Sequence, residues 1–186
     1  MLASIDVTNI RIETERLVLR PWSMSDLPDF YEYASVPGVG EMAGWVHHKS
    51  MEESKQILDM FIREKKTFAL ELKENGQVIG SLGLEEFEPD DPHGENYFGR
   101  EIGYVLSKAY WGRGLVPEAV QAVIHFSFET LGYDYLTCSH FQRNPQSQRV
   151  IEKTGFQFLK ESTFETRYGT NEMTRYYIKY NPRKEI

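Results

Sequence analysis

The sequence is poor in cysteine and has no long apolar run. Cys138 is the single cysteine among 186 residues, which excludes an intramolecular disulfide framework and a cysteine-built zinc site and fits a reducing cytoplasm. The most apolar stretch, residues 115–128, is interrupted by polar residues and a proline, whereas a bilayer span needs about 20 apolar residues. Acidic side chains within residues 1–16 argue against a secretory signal. We therefore expect a cytoplasmic protein without a membrane segment.

Positive charge is also scarce. Lys and Arg number 21 against 28 Asp and Glu, which gives a formal net charge of −7. This balance argues against nucleic acid as a partner and suits a cationic one. With 40% hydrophobic and 13% aromatic residues, the chain can bury a sizeable core. Its length and the lack of any repeat or linker predict one domain over residues 1–186, with a core at about 14–180.

Apolar periodicity predicts strands and helices in alternation. The order is one strand, two helices, three strands, a helix, a strand, a helix and two strands. The first strand lies within residues 14–22, and Asn75-Gly76 between two alternating runs predicts a hairpin. This order corresponds to an α/β or α+β domain, and the hairpins make its sheet mixed in strand direction.

A glycine-rich turn joins the fourth predicted strand to the third helix. Trp111-Gly112-Arg113-Gly114-Leu115-Val116 directs several backbone N–H groups and a helix N-terminus toward one small volume, an arrangement typical of phosphate binding. Arg113 can add a positive charge there. Because a lone Gly-x-Gly also forms ordinary tight turns, this motif alone leaves both interpretations open.

A second motif makes the pattern more specific. Residues 144–156, NPQSQRVIEKTGF, open with a helix cap and end just after a glycine. Together with AYWGRGLVPEA at 109–119, they resemble the two acyl-CoA signatures of the GNAT N-acetyltransferase superfamily. TERLVLRPW and REIGYVL resemble its branch of ribosomal-protein N-terminal acetyltransferases, the Rim type. The resemblance covers about Thr14 to Tyr180 and implies a central, mixed, mostly antiparallel sheet of roughly seven strands with about four flanking helices.

The resemblance implies acetyl-CoA as the cosubstrate and suggests its binding residues. The pyrophosphate falls on Trp111, Gly112, Arg113, Gly114, Leu115 and Val116, although Trp111 and Val116 depart from the family's usual residues. The pantetheine arm falls on Asn144 and on the strand end at Val105, Leu106 and Ser107. Ser147 matches the position near the sulfur. Asn144 is alternatively a helix cap beside Pro145, and the two roles are compatible.

Acetyl transfer to an amine, the reaction that the resemblance implies, needs a proton acceptor and a stabilised thiolate. Glu101 is the first candidate base, because alternation along residues 100–107 places it on one strand face with Gly103, Val105 and Ser107. Glu86 is the second candidate. For both carboxylates the alternative is a solvated surface charge. Ser147 is the candidate hydrogen-bond donor to the thiolate.

The sequence leaves the acceptor open. The resemblance implies an amine, which includes a ribosomal-protein N-terminus, a polyamine, an amino sugar or an antibiotic. We expect it to approach residues 45–48 and the carboxylates Glu85, Glu86 and Glu88. We expect no metal, because adjacent side chains such as His47 and His48 diverge on any regular element. A different class of function is a non-catalytic module that binds or senses acyl-CoA. Either a monomer or a homodimer fits the sequence.

Overall fold

The computed structural model describes residues 5–86 and 97–184, in which four α-helices flank one eight-stranded sheet. The strands are β1 (Ile12–Glu13), β2 (Leu17–Pro21), β3 (Thr67–Leu72), β4 (Val78–Glu85), β5 (Gly99–Leu106), β6 (Tyr135–Phe141), β7 (Gln157–Glu165) and β8 (Asn171–Tyr180). The helices are α1 (Leu27–Ala34), α2 (Met51–Glu64), α3 (Leu115–Glu129) and α4 (Pro145–Lys153). The expected α/β class is confirmed. Measured by length and apolar content, none of the helices in the described ranges could serve as a membrane span.

The sheet has the order β1-β2-β3-β4-β5-β6-β8-β7 and is antiparallel except between β5 and β6. The sequence did not predict β1, because its two residues are too few to show alternation. Asn75-Gly76 lies in the β3–β4 hairpin as predicted. Gly76 has a φ of +72°, and the Asn75 side chain accepts a hydrogen bond from the Gln77 N–H at 3.0 Å.

Alternation along the strands builds a core on each face of the sheet. On β3, Leu70 packs into the core beneath α3, whereas Ala69 packs into the core beneath α1 and α2. On β5, Ile102 belongs to the first core and Val105 packs against the second. Complete burial of a side chain such as Leu70 stabilises the fold by roughly 1.5–3 kcal/mol. The predicted separation of β5 into two faces is therefore confirmed.

The pairing between β5 and β6 stops halfway along the two strands. Parallel pairing joins residues 99–102 to residues 135–138 and ends at Ile102 and Cys138. Beyond that point β5 remains paired with β4 up to Leu106, and β6 remains paired with β8 up to Phe141. The two strands therefore separate in the middle of the sheet, and the space between them is open to a ligand.

Candidate active site

A cavity of about 680 Å³ lies where β5 and β6 separate. Ten of the predicted site residues line it: Glu101, Val105, Leu106, Trp111, Gly112, Gly114, Leu115, Val116, Asn144 and Ser147. Ser107, Arg113 and Glu86 are not among its lining residues. The Arg113 guanidinium instead lies over the Tyr110 ring, 5.0 Å from the centroid. The two sequence motifs thus meet at one opening in the sheet.

The turn before α3 has the backbone shape of an anion site. Gly112 and Gly114 have φ angles of +77° and +76°, in the left-handed region that favours glycine. Among hydrogen bonds between described residues, the N–H groups of Gly112, Arg113 and Gly114 donate to no backbone acceptor. Leu115 and Val116 add N–H groups of the first helical turn, which have no partner within the helix. These donors at the positive end of a 15-residue helix suit a pyrophosphate.

Side chains on the segment before β2 and on α3 fix this turn. Glu118 of α3 accepts from the Thr14 hydroxyl at 2.6 Å and from the Arg16 backbone N–H and Nε at 2.8 and 2.7 Å. Arg16 also donates from Nη1 to the Arg113 carbonyl oxygen at 2.9 Å. Although partial burial opposes ionisation, these hydrogen bonds hold the pKa of Glu118 below its usual value. Neither Arg16 nor Glu118 was predicted from the sequence, because periodicity does not pair positions 102 residues apart.

The N-terminus of α4 presents Ser147 to the cavity. Asn144 caps the helix, since its Oδ1 accepts from the Ser147 backbone N–H at 3.2 Å. The buried Ser147 hydroxyl lies 2.7 Å from the hydroxyl of Tyr104 on β5. Burial raises the pKa of Tyr104 well above its usual value, so the phenol stays protonated and can donate to Ser147. Sequence reasoning missed Tyr104, although alternation along β5 already placed it on the face away from Glu101.

Glu101 projects from the other face of β5. Its Oε1 accepts from the hydroxyl of Ser139 on β6 at 2.5 Å. Burial raises the pKa of Glu101, the Ser139 hydrogen bond lowers it in part, and the negative charge of Glu85 adds to the rise. A carboxylate with a raised pKa is a stronger proton acceptor than an exposed one. Ser139 was not predicted, because its proximity follows from the parallel register that pairs Glu101 with Thr137.

Comparison with known proteins identifies the family. The profile described as "Acetyltransferase (GNAT) domain" matches residues 16–157. The chain belongs to the GNAT acetyltransferase family. It is therefore an acyltransferase, and members of its family use acetyl-CoA as the cosubstrate and amines as acceptors.

Relatives of this GNAT protein include the N-acetyltransferase p20 of Bacillus licheniformis, 26% identical over 149 residues that cover 77% of this chain and 80% of the relative. A solved GNAT-family acetyltransferase from Bacillus anthracis has a TM-score of 0.81 and 21% identity, over 92% of this chain and 99% of that chain. The ribosomal-protein-S5-alanine acetyltransferase from Vibrio fischeri has a TM-score of 0.74 and 20% identity, over 96% of this chain and 100% of that chain. At these identities, the two structures show the shared GNAT fold.

Glu86, the second candidate base, lies outside the lining of the GNAT cavity. Its side chain is 76% exposed, and its Oε1 lies 3.1 Å from Nη1 of the buried Arg100. A carboxylate that is exposed, paired with a guanidinium and outside the lining is poorly placed to take a proton from an acceptor bound in the cavity. Glu88, the other carboxylate expected nearby, lies outside the described residues.

The loop between α1 and α2 lines the cavity on the Glu101 face of the sheet. It contributes Val39, Met42 and Ala43, and Phe141 and Phe164 line the cavity beside them. Residues 45–48, where we expected the acceptor, are not among the lining residues. The rings of Trp45 and His48 pack together there, with centroids 5.1 Å apart. His48 is buried, and its Nδ1 lies 2.7 Å from Ser54 Oγ. An earlier part of the same loop, Val39, Met42 and Ala43, lines the cavity instead.

Cys138 is a buried thiol that is not among the residues lining the cavity. It is buried, and its Sγ donates to the Ile102 carbonyl oxygen at 3.2 Å. Burial raises the pKa of the Cys138 thiol far above its usual range, so the thiolate does not form. In the part of the chain that the structure describes, no three His, Cys, Asp or Glu side chains gather into a metal site.

Proposed function

We propose that this protein transfers the acetyl group of acetyl-CoA to a primary amine by direct attack of the amine on the thioester. The observation that carries the proposal is the separation of β5 from β6 after Ile102. This separation brings a donor-rich turn, Ser147 and Glu101 into one cavity. Acetyl-CoA has phosphates at one end and a thioester at the other, and the cavity offers complementary groups for both.

The residues present fit the cosubstrate. The N–H groups of residues 112–116 suit the pyrophosphate, and the edge of β5 from Gly103 onward has no strand partner on the β6 side. Asn144 uses Oδ1 for the helix cap and retains its Nδ2 donor for the pantetheine arm. Arg149 and Lys153 line the cavity one helical turn apart on α4 and add positive charge for phosphate. Sequence reasoning did not select these two residues.

Glu101 removes the proton of the attacking ammonium. Ser139 holds one carboxylate oxygen, which leaves the second oxygen to accept the proton directly or through water. The new C–N bond forms as the C–S bond breaks, and the second proton of the nitrogen passes through Ser147 or water to the leaving thiolate, which gives the CoA thiol. Ser147 donates to the sulfur, and Tyr104 in turn donates to Ser147, so that the serine proton is free to point at the thiolate.

Among amines, a protein N-terminus is our first candidate acceptor. The sequence resembles the Rim-type branch, and the fold is shared with an enzyme whose name states that it acetylates alanine of ribosomal protein S5. The formal charge of −7 also favours a cationic acceptor. Because a structure that is 20% identical shows only a shared fold, the choice of acceptor is part of the proposal.

The test is release of CoA thiol from acetyl-CoA in the presence of amines and alcohols, with mass spectrometry of the products. We expect N-acetylated amine and CoA in equal amounts, and loss of at least about tenfold in kcat for Ser147→Ala. Gln148→Ala, at a half-buried neighbouring position on α4 that does not line the cavity, is the matched control and should keep its rate. Acetylation of hydroxyl groups alone, or CoA release that does not depend on the acceptor, would refute the proposed function.

A further inference from the structure

The acceptor side of the cavity combines one uncompensated carboxylate with an apolar wall. Resting on the proposed function, we infer that the acceptor is a singly charged primary amine with an apolar group a few carbons from its nitrogen. A branched alkylamine and a peptide that begins with a large apolar residue share this chemistry. Polyamines and hydroxyl-rich amino sugars lack it.

The charge of the acceptor follows from the carboxylates. Among the described lining residues, Glu85 and Glu101 are the two carboxylates. Glu85 already has a cation beside it, because Nζ of Lys66 lies 2.6 Å from its Oε2, although the same Nζ also lies 3.2 Å from Oε2 of Glu64. Glu101 accepts from the neutral Ser139 hydroxyl and forms no ion pair within the described part of the chain. Glu101 is therefore the one described lining carboxylate with no cation beside it, which matches one ammonium and leaves a second ammonium without a free carboxylate.

The apolar wall is formed by Phe141 and Phe164 together with Met42 and Val39 of the loop. The two phenyl rings pack with centroids 5.8 Å apart, and the ring of Phe164, 40% exposed, provides apolar surface. The loop backbone fixes both rings. A Cβ at Gly44 would lie 3.2 Å from the Phe164 ring and 3.3 Å from the Phe141 ring. Such a preformed apolar surface binds an apolar substituent more tightly than a polar one.

The register of β6 sets the distance between the base and this wall. Ser139, which holds Glu101, and Phe141 are two residues apart and therefore project from the same face of the strand. Two residues at about 3.3 Å each put them roughly 7 Å apart along the strand. A nitrogen held at Glu101 thus lies a few carbon–carbon bonds from the rings, on the same face of the sheet.

Arg143, a cation beside the apolar wall, does not present a free positive charge to the acceptor. Arg143 lies over the Phe141 ring, 5.5 Å from the centroid, but its Nε lies 2.9 Å from Glu172 Oε1. Its Nη2 donates to the Glu41 carbonyl oxygen at 2.9 Å, which ties the loop to the β7–β8 hairpin. The Arg143 charge is therefore compensated, and the wall presents carbon to the acceptor.

The experiment measures kcat/KM with acetyl-CoA for matched acceptors. One arm uses 3-methylbutylamine, ethanolamine and 1,4-diaminobutane, and the other uses two peptides that differ only in Leu or Ser as the first residue. We expect the apolar acceptor of each arm to exceed its polar counterparts by at least about tenfold, a typical discrimination by an apolar pocket. Higher values for peptides than for free amines would identify a protein N-terminus as the natural source, and the reverse order would identify a small amine.

Two phenylalanines of one strand provide a matched pair of variants. Phe164→Ala should reduce the preference for the apolar acceptor by most of its value. Phe158→Ala should keep it, since Phe158 is 59% exposed and packs against Tyr177 on the other face of the sheet. Both positions are exposed enough to truncate without unfolding, and thermal melting checks this.

Three results would overturn the inference. One is a preference for ethanolamine or 1,4-diaminobutane, and another is equal turnover of the Leu and Ser peptides. The third is a preference that survives in Phe164→Ala. All three leave the proposed function intact, because amines are still acetylated. Failure of every amine to release CoA would instead refute the proposed function itself, and this inference with it.

Discussion

Replacement of Glu101 by glutamine removes the assigned base with little change in shape. The amide oxygen can still accept the Ser139 hydrogen bond, but the side chain no longer takes up a proton. Loss of a general base lowers rates by about 10²- to 10⁴-fold, or roughly 2.7–5.5 kcal/mol of activation free energy. We therefore expect kcat to fall by at least about 10²-fold, with less than about a twofold change in the Kd of acetyl-CoA, because the turn at 112–116 is unchanged.

The same substitution should increase stability at neutral pH. Burial raises the pKa of Glu101 in the folded protein, so the folded state holds this proton more tightly than the unfolded state. The free energy of unfolding therefore falls as pH rises from the pKa of Glu101 in the unfolded state to its pKa in the folded state. Glutamine does not ionise, so the Glu101→Gln variant does not lose this stability. Urea unfolding at about pH 7 should show Glu101→Gln to be more stable than wild type, and the difference should vanish near pH 3 to 4.

Dependence on pH separates a base from a residue that only positions the substrate. At high pH the amine is already deprotonated, so the deficit of Glu101→Gln in kcat should shrink between about pH 6 and 10. Glu86→Gln is the matched control, since that carboxylate is 76% exposed and outside the cavity lining, and it should stay within about threefold of wild type. A rate for Glu101→Gln that equals the control, or a deficit independent of pH, would refute the assignment.

Three further substitutions test the remaining contacts. Tyr104→Phe should lower kcat about tenfold in wild type but less than twofold in Ser147→Ala, because it acts through that hydroxyl, and steady-state kinetics of the double-mutant cycle measure this. Gly114→Ala should weaken acetyl-CoA binding about tenfold in calorimetry, since its φ of +76° costs alanine roughly 1–2 kcal/mol. Gly132→Ala carries similar strain at +70°, away from the cavity, and should leave the Kd unchanged. Glu118→Gln should raise the same Kd about fivefold, because a charged hydrogen bond at a partly exposed site contributes about 1 kcal/mol. Additive losses of kcat in the double mutant would contradict the action of Tyr104 through Ser147. Equal Kd values for Gly114→Ala and Gly132→Ala would contradict the role of the turn, and an unchanged Kd for Glu118→Gln would contradict the role of Glu118 in fixing it.

Sequence patterns predicted the features that depend on neighbouring residues. The β3–β4 hairpin follows from Asn75-Gly76, and the start of α3 follows from the turn that ends at Gly114. Alternation along β5 gave the correct faces for Ile102 and Val105. Each of these signals lies within about ten residues, a span over which backbone geometry alone fixes which side chains share a face.

The contacts that define the chemistry were not predictable in this way. Glu101 meets Ser139 across 38 residues, and Tyr104 meets Ser147 across 43. Alternation fixes the face of each side chain, but a pair forms only in one register, and the register of two parallel strands depends on the whole crossover between them. Arg113, which the sequence motif gave as an added charge for the pyrophosphate, has its guanidinium over the Tyr110 ring, and its role as a ligand remains a prediction.

The opening in the sheet can form because β5 and β6 are each hydrogen-bonded to another strand on their other side. β5 stays paired with β4 up to Leu106, and β6 stays paired with β8 up to Phe141, so their separation costs only the bonds between them. At the last shared pair, the Cys138 thiol donates to the Ile102 carbonyl oxygen, and beyond it residues of α4 line the cavity. Beyond this pair, the Tyr104 hydroxyl on β5 reaches the Ser147 hydroxyl on α4.

Backbone N–H and C=O groups left without a partner inside a protein are costly, each by about 1–3 kcal/mol, unless water or a ligand pairs with them. The edge of β5 beyond Ile102 has no strand partner on the β6 side, and the pantetheine arm of CoA carries two amides that can pair with backbone groups there. A chain in which β5 and β6 stayed paired to their ends would have a more complete sheet and no cavity. The incomplete pairing is therefore the structural feature that creates the binding site, and ligand binding should recover part of its cost.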